Sequence, residues 1–179
     1  MSTDIGDFWS SSDMWYIATA VLIVDVVGIF LFRFYPKFFG SFLNKWYTDY
    51  GLIACLSDIT IILIGFLITR LIYTRFLRAS YGWSAPLFTG LLFLVQLIHD
   101  FLFYIFVILP IPEGSNAIID LFKKYAKELS GSIYIGDATM VVSSAVIAMA
   151  LKNYGDSITA ASAITAIYAL TYILFTKPV

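Results

Sequence analysis

Five long apolar runs, separated by short polar or aromatic stretches, set the pattern of this chain. They cover residues 14–34, 51–73, 86–109, 132–151 and 157–176. A helix needs about 20 mostly apolar residues to cross roughly 30 Å of hydrocarbon, and each run meets that length. Helices are the economical structure there, because each satisfies its own backbone hydrogen bonds without water. Between the third and fourth runs, residues 115–129 follow another pattern. Ile118, Leu121, Phe122, Tyr125 and Leu129 fall on one helical stripe, with Asp120, Lys123, Lys124, Lys127 and Glu128 mostly opposite. Such a segment is too short and too charged to span, and it predicts an amphipathic helix lying in the interface. The predicted fold is all-α: a single polytopic transmembrane helical bundle of five spans plus one interfacial amphipathic helix.

Composition agrees with that reading. Of 179 residues, 60% are hydrophobic and 13% charged, against about 25% charged in a typical soluble domain. Too little polar surface is available to cover a compact particle of this size in water. The net charge of −1 supplies no basic field, which argues against nucleic acid as a partner. Cys55 is the sole cysteine, so neither an internal disulfide nor a multi-thiolate metal site is available. It reads as a small core or lipid-facing residue. The first 13 residues carry acids but no Lys or Arg, unlike the basic n-region of a cleaved signal, so the first run is expected to stay in the membrane. Trp9, Trp15, Trp46 and Trp83 flank the spans, as an interfacial aromatic belt predicts.

Orientation follows from the cations near the span ends. With the amino terminus outside, Arg33, Lys37, Lys45, Lys123, Lys124, Lys127 and Lys177 lie inside, and Arg70, Arg75, Arg78 and Lys152 outside. Seven against four favours an external amino terminus and an internal carboxyl terminus.

Chemistry concentrates in the acids. Asp25, Asp58, Asp100 and Asp137 place one carboxyl in each of the first four runs. An ionised carboxylate at the bilayer centre costs a few kcal/mol on insertion scales and more on others. These groups are therefore expected to face one another, a wet cavity or a cation, or to be protonated. Gln96, Asp100 and Tyr104 recur at i, i+4 and i+8, which aligns them on one helical face. His99 is rotated about 100° from that face, toward a neighbouring helix. Arg70 is the one cation placed to reach a buried acid, although a long stem of this kind more often snorkels to the interface. Two roles are open for the acids: a proton or cation path, or hydrogen-bonded glue between helices. The fourth and fifth runs, dense in Ala, Ser and Thr, predict a closely packed hairpin about the turn at Gly155.

No phosphate-binding loop, GxSxG, HExxH or paired-His motif is present, and no Lys sits in mid-span, so no cofactor and no metal are expected. The stretches VDVVGIFLFRFYPKFFG, SDITIILIGFLITR and LIHDFLFY resemble small multi-spanning membrane proteins encoded by large DNA viruses of algae and amoebae. That resemblance implies a component of an internal virion membrane, with loops 35–50 and 111–130 offered to other membrane or capsid proteins. It transfers no residue role. Three function classes stay open: a structural or assembly protein, a proton- or cation-coupled transporter or channel using Asp100, His99, Asp58 and Asp25, and a membrane enzyme with Asp100 and His99 as acid and base on a lipid-soluble substrate. An oligomer is compatible with each.

Overall fold

The computed structural model describes residues 3–35, 41–129 and 133–177. The placements anticipated for Lys37, Ser132 and Pro178, and for the side chains of Glu128 and Leu129, lie outside the described residues. The chain forms α1 (Asp13–Phe34), the short α2 (Ser41–Tyr50), α3 (Leu52–Tyr81), α4 (Ala85–Ile108), α5 (Ala117–Leu129), α6 (Ile133–Tyr154) and α7 (Asp156–Phe175). Both α3 and α4 loosen into five-residue π segments, at Tyr73–Leu77 and Tyr104–Ile108. Ser84 caps α4 by accepting from the Leu87 amide, with Pro86 in the first turn, where a missing N–H costs nothing.

Four of these helices, α1, α3, α4 and α7, are long and apolar enough to cross a bilayer. Their outward faces carry large apolar side chains, among them Leu56, Phe76, Phe101, Phe106 and Ile164, each more than half exposed. A surface of that kind is tolerated in lipid and not in water, so the chain fits an integral, multi-pass membrane location. The fourth predicted run forms α6 but is not among the four. Asp137, Ser143, Ser144, Lys152 and Asn153 dilute its apolar character. It also packs chiefly against α1 and α4, so less of it has to meet lipid.

Contacts at the helix ends fix direction. Tyr16 donates to Asp156 at 2.7 Å, and Arg33 donates to the Leu174 and Thr176 carbonyls at 2.8 and 2.9 Å. α1 and α7 are therefore parallel, and Arg33 satisfies carbonyls that the end of α7 would otherwise orphan. Lys152, late in α6, meets Asp13, the first residue of α1, so α6 is antiparallel to α1. α3 also runs against α1, with Cys55 beside Asp25 and Arg70 beside Asp13. The Tyr73 hydroxyl holds the α3–α4 corner, accepting from the Ser84 amide at 2.8 Å and donating to the Gly82 carbonyl at 2.9 Å. The five long helices thus alternate in direction around α1.

That central position of α1 corrects the expected hairpin. Gly155 does make the tight turn, at φ +92°, but α6 and α7 lie mainly on α1 and less on each other. Val141, Ala145 and Ala148 of α6 are fully buried with Ile17, Ala20 and Val21 of α1. Small side chains allow this approach, and the partner they meet is the first helix.

A strap of residues 3–12 crosses the end of the bundle where α1 begins. Ile5 is fully buried there, and a Cβ at Gly6 would come within 2.8 Å of the Trp83 ring, so only glycine fits. Thr74 donates to the Gly6 carbonyl and accepts from the Phe8 amide. Arg78 pairs with Asp4, Lys152 with Asp13, and Arg75 faces the Trp9 ring at 6.0 Å. Arg70, the ion-pair candidate, does not snorkel and is 0% exposed. It donates to the Asp7 and Ser10 carbonyls and lies 3.8 Å from Asp13. The strap supplies the polar partners that snorkelling would otherwise have sought.

Breaking a buried pair costs more than losing an exposed one, because the remaining charge is stranded. Asp13→Asn should therefore destabilise the protein by about 3 kcal/mol or more. Asp4→Asn, whose pair with Arg78 is partly exposed, should cost about 1 kcal/mol or less. Thermal unfolding of the two variants in detergent reads the difference.

Candidate functional site

At the opposite end from the strap, the amphipathic α2 tucks under the bundle. Its Trp46 and Tyr47 are buried, at 3% and 2% exposure. Trp46 packs against Phe122 of α5 with ring centroids 5.0 Å apart, and Tyr47 stacks on Phe32 of α1 at 5.9 Å. Ile119 and Leu121 of α5 are buried as well, so the predicted amphipathic helix turns apolar side chains toward its neighbours. Within loop 35–50, residues 41–50 are helical with Trp46 and Tyr47 turned inward, and Trp46 is a core residue where a belt position was expected. Trp9 and Trp15 stay 69% and 43% exposed, as a belt requires.

These two aromatics reach the first of the acids. Asp58 Oδ2 accepts from Trp46 Nε1 at 3.1 Å and from the Tyr47 hydroxyl at 2.7 Å. Burial pushes the Tyr47 phenol well above its ordinary range, and the carboxyls of Asp58, Asp25 and Asp137 push the same way. Tyr47 therefore remains a protonated donor throughout the physiological range. One turn before Asp58, Cys55 donates its thiol to Asp25 Oδ2 at 2.9 Å, so Cys55 is a partner of an acid and not an inert packing residue. Asp25 itself is 0% exposed.

Asp100 belongs to a second group. Its Oδ1 accepts from Gln96 Nε2 at 2.7 Å and stands 3.0 Å from His99 Nδ1. Gln96 is 4% exposed and packs over Gly65 of α3. His99 does not turn to another helix; it folds back on its own, stacked on Phe103 at 5.8 Å. Tyr104, the third member of the expected stripe, opens the π segment, with its amide still bonded to the Asp100 carbonyl. Among the described residues its side chain makes no hydrogen bond to Gln96 or Asp100.

Asp137, near the start of α6, links the two groups. It lies within electrostatic reach of Asp100 and of Asp58, and Asp58 within reach of Asp25. All four acids thus lie toward one half of the bundle, Asp25 buried and Asp58, Asp100 and Asp137 half-buried, while Arg70 sits at the strap end with Asp13. Hydrogen bonding among them is uneven. Asp25 Oδ1 and Asp100 Oδ2 are buried and have no hydrogen-bond partner among the described residues. Among those residues, no three His, Cys, Asp or Glu side chains could hold a metal ion.

The residues that sequence reasoning missed are those whose partners lie far along the chain. Phe42, Trp46, Tyr47 and Tyr50 carry a helical period within the 35–50 stretch, and that signal could have identified α2. Nothing local ties Tyr47 to Asp58, Cys55 to Asp25, or Lys152 to Asp13. Comparison with known proteins matches this chain to no family model, no curated protein and no solved structure.

Removing one donor from a buried carboxyl costs about 1–3 kcal/mol. Tyr47→Phe and Asp58→Asn should each destabilise the protein in that range. Together they should cost clearly less than the sum, with a coupling of about 0.5–3 kcal/mol. A double-mutant cycle by thermal unfolding measures it, and strict additivity would mean that the two groups do not bond.

Proposed function

We propose that this chain is a non-enzymatic structural protein of a membrane, whose intramembrane acids fix which helix packs on which. The observation that carries the reading is the capture of Asp58 by Trp46 and Tyr47. Two donors from α2 converge on one oxygen of α3, and the thiol of α3 bonds the carboxyl of α1. Hydrogen bonds to an ionised acceptor are stronger than neutral ones, so such clamps offset part of the insertion cost. The two ends of the bundle are tied as well, by the strap at one and by Arg33 on the end of α7 at the other. A protein built this way holds a shape.

In this reading α6 is the fifth span, shielded from lipid by its neighbours, and α2 and α5 lie in the inner interface. The alternating helix directions support an odd number of crossings. Arg70, Arg75, Arg78 and Lys152, the cations on the outer side, all engage the strap, which leaves Lys45, Lys124 and Lys127 exposed at the other end to set an internal carboxyl terminus. The resemblance to membrane proteins of large DNA viruses suggests an internal virion membrane as the residence, with α5 and its flanking loop as the face toward a capsid or membrane partner.

A second reading rests on the unpartnered oxygens of Asp25 and Asp100. Together with Asp58 and Asp137 they would serve as stations for a proton or cation. Reconstitution separates the two. The structural reading expects proton and monovalent-cation flux no greater than in empty liposomes, with Asp100→Asn lowering only thermal stability. A flux that disappears in Asp100→Asn would replace it with the conduit.

Five crossings place residues 11 and 177 on opposite sides. In a Cys55→Ser background, Ser11→Cys and Lys177→Cys should react with an impermeant thiol reagent from opposite sides of sealed vesicles. Labelling from one side alone would leave an even number of spans.

A further inference from the structure

α7 packs on α1 and α6 along one side and leaves the other uncovered. Ser157, Ala161, Ile164, Tyr168, Thr171 and Phe175 are all exposed there. They are spaced by four, three, four, three and four residues, the alternation that keeps one stripe in line along a helix. The exposed positions of α1 and α4 carry no hydroxyl. Those of α7 carry several, and two of them lie where lipid offers nothing to bond.

Tyr168 and Tyr172 are 65% and 57% exposed. Their rings meet edge to face with centroids 5.0 Å apart, and the Tyr172 hydroxyl donates to that of Tyr168 at 3.1 Å. This bond uses one of two protons. The Tyr168 proton has no acceptor among the described residues, and the hydroxyl is open to whatever covers the helix. Depth makes the vacancy costly. The 20 residues of α7 rise about 30 Å, the thickness of the hydrocarbon layer. Tyr168 stands about 18 Å from Asp156 and about 10 Å from Phe175 along that axis. Side chains on a helix lean toward its amino terminus, which carries the Tyr168 ring toward the bilayer centre and away from the inner headgroups. An interfacial belt is the ordinary place for Tyr, and this pair lies inside it. Without water, an unsatisfied polar group costs several kcal/mol.

The covering group must therefore bring an acceptor to the middle of the membrane. Acyl chains have none, and the carbonyls of a plain apolar helix are spent on its own backbone. A second copy of this chain supplies one by symmetry. In a two-fold interface the same patch meets itself, and an axis along the membrane normal places Tyr168 against Tyr168 at equal depth. A hydroxyl both donates and accepts, so two such pairs complete each other. Nothing on the face opposes the contact. No charged residue lies between Ser157 and Thr176, and the small Ser157 and Ala161 allow close approach toward the outer end.

We propose that the exposed face of α7 is a homodimer interface, in which Tyr168 and Tyr172 of two copies join in one hydroxyl network about an axis along the membrane normal. The inference rests on α7 crossing the bilayer and is independent of the role assigned to the acids.

The test uses full-length Cys55→Ser protein in phosphatidylcholine vesicles. With donor and acceptor dyes on Lys177→Cys, energy transfer at falling protein-to-lipid ratio gives the dimer affinity. Tyr168→Phe keeps the ring and removes the hydroxyl. It should weaken association about three- to thirtyfold, the range of interhelical hydrogen bonds in membranes, and leave thermal unfolding of the diluted monomer unchanged. Oxidation should join two chains through Ile164→Cys or Thr171→Cys and not through Phe101→Cys on the exposed face of α4. Wild-type protein that stays monomeric at every ratio would overturn the dimer and leave the face to lipid or to another protein. Association that Tyr168→Phe does not weaken, or a crosslink formed equally well through Phe101→Cys, would overturn the interface.

Discussion

A carboxyl group that leaves water for the interior of a helix bundle must be met by a donor, and this demand organises the half of the protein that holds α2 and α5. Four acids enter from four different helices, none of which can satisfy a side-chain oxygen with its own backbone donors, because those are already spent on the helix. The partners must come from elsewhere. For Asp58 they come from α2, a ten-residue helix too short to span and held by its aromatic contacts with α1 and α5. For Asp25 the partner is the lone thiol of the chain. The short α2 is therefore part of the core, because it delivers the hydrogen bonds that Asp58 of α3 needs.

The other end solves the same problem with opposite signs. Four cations near the ends of α3 and α6 would repel one another and resist burial. The strap, with Asp4 and Asp7, is laid over them beside Asp13 of α1, its carbonyls accepting from Arg70 and Lys152, and Arg70 can then be fully enclosed. Charge is matched within each end of the molecule, with cations and strap acids at one and acids with neutral donors at the other. Between them lies a band of apolar and small residues in which α1 serves as the common neighbour.

Much of the fold was legible in the chain before any coordinates. The apolar runs predict the long helices because a spanning helix leaves an unmistakable length of unbroken hydrophobicity, and α1, α3, α4 and α7 stand where those runs lie. The amphipathic stripe around Leu121 forms α5. That the acids would avoid lipid followed from cost, since a carboxylate against lipid is expensive; of the four, Asp25 is fully buried. Less was legible of the site. Trp46 read as a belt residue, and Arg70 stood open between an ion pair and snorkelling, because belt and interface are the commonest fates of those side chains at span ends. Their actual fates depend on α2 and the strap arriving from other parts of the chain.

The division follows from the range of the forces involved. Length, hydropathy and helical period are local properties, so the sequence by itself determined that this is a helical, multi-pass membrane protein with a carboxyl in each of four long apolar runs. Which donor meets which acid is a property of helix order in space. Tyr47 and Asp58 are 11 residues apart, Cys55 and Asp25 30, and Lys152 and Asp13 139, and no local pattern encodes those pairings. Tertiary structure alone put α1 at the centre and brought α2 beneath it.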